Sequence, residues 1–222
     1  IARAMEEGAA LRRTAVEDAQ RLREEGWREG WQEGRQSLAA LEVALRADAV
    51  RLRAEAMLPV VGGRIQPDLE DDVLYCAVVE RHKGTGHVGR AFVKGFGLHG
   101  GTMASTLGSP TCNITCLGSN AADMALAVNH LAEVGGGQVL VRDGQIVAEI
   151  RLPLGGFMAD VPAREMAEQE RAITEVLHAW GCPIERPWLY LMFFEIVPLP
   201  EYAVTEHGVV EFKTLQYVDP VL

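Results

Sequence analysis

Between Glu80 and Asn120 the chain sets nine glycines, three histidines, two cysteines and a run of hydroxyl residues between two apolar segments of β-like composition. Glycine at that density weakens helices and leaves little side chain to bury, so the stretch is shaped for close approach of backbone rather than for bulk packing. The rest of the chain must supply the core, and a functional site is expected here.

At 222 residues, 48% of them hydrophobic, the chain is long enough for a substantial core in one domain, or in one domain with an appendage. A formal net charge of -10 argues against nucleic acid or an anionic membrane as a general partner. No apolar run approaches the roughly 18 residues of a membrane span, and no signal peptide opens the chain, so a cytoplasmic protein is expected. Cys76, Cys112, Cys116 and Cys182 lie in apolar or mixed surroundings and read as reduced thiols. Cys112 and Cys116 are four apart with no CxxC partner, a poor zinc signature, and no metal site is expected in this chain.

Residues 1–58 contain ten Arg, eleven acids, no Lys and no Pro, a composition that predicts a long helical segment. Trp27, Trp31, Gly34, Leu38, Leu41, Leu45 and Leu52 fall on a heptad stripe that wants a partner helix, so an oligomerisation arm is one reading. Pro59 and Pro67 bracket a boundary, with a second domain over 59–222. There VLYCAVVE predicts a buried strand and 88–98 an extended segment. Asn120 and Asp123 open a helix that ends at Gly135. Asp143-Gly144 marks a hairpin, and Asp160 with Pro162 opens a second helix that Gly181 closes. The apolar WLYLMFFEIVPLP reads as a strand covered on both faces, and VVEFKTLQYV as a last strand. The expected fold class is α+β, a mixed or antiparallel sheet with packed helices.

Glu80, His82 and His87 lie close together beside the glycine-rich bend, and a carboxylate with an imidazole is the usual equipment for general acid or base work. GTGHVG has GxGxxG spacing, but it precedes a strand-like segment instead of opening a helix, which makes it a poor dinucleotide fingerprint. No HExxH, GxSxG or P-loop pattern occurs. By residue chemistry alone the chain lacks a complete active site.

ERHKGTGHVGRAFVKGFGL, the ASTL that follows, and GSNAADMALAVNHLAEVGGGQVLVRDGQIVAEIRLPLGGFMAD closely resemble the C-terminal domain of bacterial adenine deaminases, of the amidohydrolase superfamily. The resemblance runs from GGRIQPDLEDDVLY through GCPIERPWLYLMFFEIVPLPEYAVTEHGVVE, roughly residues 60–222, and does not extend to the first 58. It implies a hydrolase of purine metabolism that converts adenine to hypoxanthine and ammonia. It also implies a divalent metal, Mn or Fe, held by a (β/α)-barrel that precedes this domain. The family's HDSHN run falls on Ser109, Pro110, Thr111, Cys112 and Asn113, so both of its histidines are replaced and only Asn113 matches.

Two readings follow. In the first, the chain is the C-terminal part of an adenine deaminase whose barrel lies elsewhere, inactive alone, with Glu80 and His82 as catalytic candidates and Lys94, Ser109 and Asn113 facing a purine. In the second, it is a non-catalytic binding or assembly module. The partners expected are a second copy of the chain or a barrel domain.

Overall fold

The computed structural model describes residues 38–42, 55–199 and 201–220. Its centre is a six-stranded antiparallel sheet formed by β4 (Val73–Val79), β5 (Val88–Lys94), β6 (Thr102–Ser105), β7 (Ile114–Gly118), β8 (Gly137–Arg142) and β9 (Gln145–Arg151). The strands lie in the order β5-β4-β7-β6-β8-β9. Two smaller ladders flank it, one of β1 (Leu38–Glu42), β2 (Glu55–Val61) and β3 (Arg64–Ile65), the other of β10 (Tyr202–Thr205), β11 (Gly208–Glu211) and β12 (Gln216–Val218). Among the described residues the helices are α1 (Ala121–Val134), α2 (Ala163–Ala179) and α3 (Pro187–Met192), and the fold is α+β.

β4 sets the layers. Its register runs from Val73 opposite Lys94 to Val79 opposite Val88 on one side, and from Tyr75 opposite Gly118 to Val79 opposite Ile114 on the other. Because side chains alternate along a strand, both faces of so apolar a segment need cover. Leu74, Cys76 and Val78 face the main core with Val93, Met103, Leu117 and Leu140, and this side is closed by Ile173, Leu177 and Trp180 of the α2 region and by Trp188 and Leu191 of α3. On the opposite side Met124, Ala127 and Leu131 of α1 pack on Ala104, Ile114, Cys116, Val139 and Val141. The expected elements of this half are present: Asn120 caps α1 by accepting from the Asp123 amide, Gly135 ends it in the left-handed region, and Asp143-Gly144 turns the β8–β9 hairpin with φ of 53° and 73°.

Three expectations are corrected. WLYLMFFEIVPLP is not a strand: Pro187–Met192 is helix α3, and hydrogen bonds from Phe193, Phe194, Ile196 and Leu199 to carbonyls three residues back continue it as turns. An unbroken apolar run has no period of its own, and here Pro187 starts a helix that buries Trp188 and Leu191 while leaving Leu189 exposed. VVEFKTLQYV is two strands rather than one, β11 and β12, joined by a turn at whose end Leu215 has φ 54°. The helix expected over 1–58 lies mostly outside the described residues, and so does its heptad stripe, but Leu38–Glu42 and Glu55–Val61 are strands. β2 crosses the boundary read at Pro59 because burial alternates there: Ala56 and Leu58 pack on Val73 and Phe92 while Met57 is exposed. Helix propensity is a weak prior beside such burial.

β10 and β11 seat on β5 at Gly89, where an added Cβ would overlap the Thr205 carbonyl oxygen and crowd the Gly208 amide. Both obstacles are backbone and cannot rotate aside. Gly89→Ala is expected to destabilise the fold by about 1–3 kcal/mol, read as a lower urea midpoint with an unchanged slope.

Candidate functional site

One end of the sheet collects the loops that leave β4, enter β7 and follow β9. Glu80, the first residue after β4, turns its carboxylate inward on the loop it begins: Oε1 accepts from the amides of His82 (2.5 Å) and Lys83 (2.7 Å), and Oε2 accepts from the amide and hydroxyl of Thr85. These bonds favour the anion, that of the Thr85 amide most, and hold the carboxyl down at about 2. The amides that a phosphate-binding loop would offer are thus filled by the protein's own carboxylate, which is why GTGHVG here closes a bend. Glu80 organises the loop and presents neither a free base nor a proton at neutral pH.

Arg81 and His82 tie that loop to the segment before β7. The Arg81 Nε donates to the Cys112 carbonyl (2.6 Å), its Nη2 to the Gly155 carbonyl (2.5 Å), and its amide to Asn113 Oδ1 (3.4 Å). His82 Nε2 lies 2.8 Å from the Thr111 carbonyl oxygen. A carbonyl only accepts, so Nε2 carries hydrogen here. Asn113 is buried and its Nδ2 donates to Glu206 Oε2 (3.3 Å), while Glu206 Oε1 lies 3.4 Å from His207 Nε2. Ser109 donates its amide to the Met192 carbonyl, which anchors the loop to the end of α3.

Glu80, His82, Ser109 and Asn113 are therefore brought to one end of the sheet. Lys94 is not. It lies at the far end of β5, opposite Val73 in the ladder, about 20 Å along the strand at ~3.4 Å per residue, and it pairs with Asp71 at 3.3 Å.

The residue the sequence reading passed over is Glu195. It is 1% exposed; Oε1 accepts from the Thr115 hydroxyl (2.6 Å), and Oε2 has no hydrogen-bond partner. Its carboxyl presses on Gly108, where a Cβ would overlap Oε1, so only glycine lets the loop start there. Burial is the largest influence on its titration and pushes it up to about 7; Thr115 pulls it down, Glu206 pushes it up and His82 pulls it down. One signal was legible: a single charge inside WLYLMFFEIVPLP.

None of this suits a divalent metal. The Glu80 oxygens are filled and His82 Nε2 is engaged, while burial raises the thiols of Cys76 and Cys116 above the ordinary range, leaving them protonated. Among the described residues no three His, Cys, Asp or Glu side chains are grouped to hold an ion. The arrangement supplies instead a rim of engaged carbonyls and amides beside the His82 imidazole and the buried Glu195 carboxyl.

Residues 49–216 match the family model for the adenine deaminase C-terminal domain, and the chain belongs to that family. Among curated proteins it is 40% identical over 182 residues to adenine deaminase 1 of Desulfotalea psychrophila, covering 82% of this chain and 31% of that protein. It is 40% identical over 172 residues to adenine deaminase 4 of Rhizobium meliloti (78% and 29%), and 41% over 162 residues to the adenine deaminase of Moorella thermoacetica (73% and 27%). The chain thus spans less than a third of the length of these relatives.

Two pH effects follow. Glu195 rises from 4.5 to about 7 on folding, so the native state keeps a proton that the unfolded chain gives up, and stability is lost as pH rises through that window. At ~1.4 kcal/mol per unit the loss approaches roughly 3 kcal/mol, and Glu195→Gln is expected to remove it when urea melts at pH 5 and pH 8 are compared. Glu80 is shifted the other way, from 4.5 to about 2, so its contribution is present above 4.5 and lost as pH falls toward 2. Glu80→Gln is expected to raise the pH at which the acid transition begins, measured by circular dichroism.

Proposed function

We propose that this chain is the C-terminal lobe of an enzyme that hydrolyses adenine to hypoxanthine and ammonia, working against a catalytic region outside it. The observation that carries the reading is the family match over residues 49–216 combined with the relatives' far greater length. In this reading His82, Ser109 and Asn113 face the purine, Glu80 holds the loop that carries His82, and Lys94 serves its ion pair with Asp71. The divalent metal belongs to the remaining part of the enzyme, since no side chains of the described residues are placed to hold it.

A barrel domain, supplied on the same or another polypeptide, is the principal partner of the proposal, with self-association a second. A cytoplasmic location is supported by four free cysteines, three of them buried. Among the described residues no helix is long and apolar enough to cross a membrane.

The purified chain, supplied with Mn²⁺ or Fe²⁺, is expected to release no ammonia from adenine; measurable release would overturn the division of labour proposed here. The reading frame upstream of Ile1 and its neighbouring genes give the complementary test. A metal-binding amidohydrolase region encoded there supports the proposal, and its absence from both defeats it.

A further inference from the structure

α1 covers only part of the sheet face on which it lies. It packs over β6, β7 and β8, and the register shows what the β4–β5 end of that face presents. Tyr75 stands opposite Phe92, Ala77 opposite Arg90 and Val79 opposite Val88, and residues directly opposite point to the same side. Ala77 is also opposite Cys116, which packs with α1, so this row and the helix share a face.

A cleft of about 270 Å³ opens between that row and the start of α1. Ala77 is its floor, the Tyr75 and Phe92 rings close one end, Val88 the other, and Ala121 and Met124 of α1 make a side wall. The two rings have centroids 5.4 Å apart and are tilted by 44°, and Tyr75 is held by donating its hydroxyl to the Ile65 carbonyl (2.6 Å). At about 30 Å³ for an atom the size of a water, the space admits a body of roughly nine atoms. The one charged group on the cleft is Arg90, on the outer strand. It faces Ala77 across the ladder, and among the described residues its guanidinium has no acid or carbonyl to pair with. Asp123, the acid in the first turn of α1, is turned away to the amides of Asp143 and Gly144 and to Asn120. In a chain of net charge -10, an unpaired guanidinium beside an apolar cleft is complementary to an anionic group carried on an apolar body.

We propose that the cleft between β5 and the start of α1 binds a small aryl carboxylate, its ring against Tyr75, Phe92 and Met124 and its carboxylate paired with Arg90. The planar guanidinium offers two parallel N–H donors to the two carboxylate oxygens. The body is a ring because two aromatic side chains already meet at the end of the cleft in a tilted arrangement that a third ring extends. These residues are not those that face the purine in the proposed function, so the two assignments stand or fall separately.

The test is an amide NMR titration of the 222-residue chain with phenylacetate and with phenylacetamide, which has the same shape and no charge. Phenylacetate is expected to give saturable shifts grouped at Tyr75, Ala77, Phe92 and Met124, and to bind ~5-fold or more tightly than the amide. Arg90→Gln is expected to remove that difference and to leave the affinity for phenylacetamide unchanged. Ala77→Leu, which fills the floor, is expected to abolish binding of both compounds. Should Ala77→Leu fail to fold, Ala121→Leu at the exposed start of α1 makes the same test from the wall. Equal affinity for the two compounds, a preference that survives Arg90→Gln, or binding that persists with the cleft filled overturns the proposal. So does the absence of saturable shifts grouped at these residues, whether the cleft is then empty or filled from elsewhere in the molecule.

Discussion

The structure depends on a strand that has to be hidden twice. β4 is apolar on both faces and paired along both edges, so neither solvent nor a single layer can satisfy it. α1 answers on one face. On the other the answer is composite, with α2, α3 and the β10–β12 ladder contributing to one continuous core. Because α3 and the β10–β11 turn must reach over the sheet to close that core, they deliver Glu195 and Glu206 to the end where β4 stops and β7 begins. The site is a consequence of how the core is capped.

At that end, glycine and polar side chains divide the work. Gly89 and Gly108 admit backbone and carboxylate where any side chain would collide. Glu80, Arg81 and Asn113 then satisfy the amides and carbonyls that such crowded, irregular backbone leaves behind. Arg81 does this with carbonyls of two separate loops. The loops are thereby tied to one another through the protein's own side chains.

Much of the fold was legible in the residues. Local chemistry with a fixed period or a fixed cap announced itself: the Asn120 cap, the Asp143-Gly144 turn, the helix opened by Asp160 with Pro162 and closed at Gly181, and the buried β4. The failures share a cause. In 187–199 and in 56–61 local preference pointed one way, or no way, and burial against distant residues pointed the other. The candidate site divides similarly. His82, Ser109 and Asn113 stood out within a recognisable stretch, whereas Lys94, in the same stretch, was carried by the strand to the opposite end.

The sequence by itself determined the family, the glycine-rich approach between Glu80 and Asn120, and the helices and hairpin whose ends are written in single residues. These rest on contacts within a few positions of one another, which composition and spacing record. Only the tertiary structure decided that Glu195, 80 residues from Thr115, gives its carboxyl to that hydroxyl and lies against Gly108. A buried charge takes its character from what surrounds it, and those surroundings come from parts of the chain that meet only when the core closes.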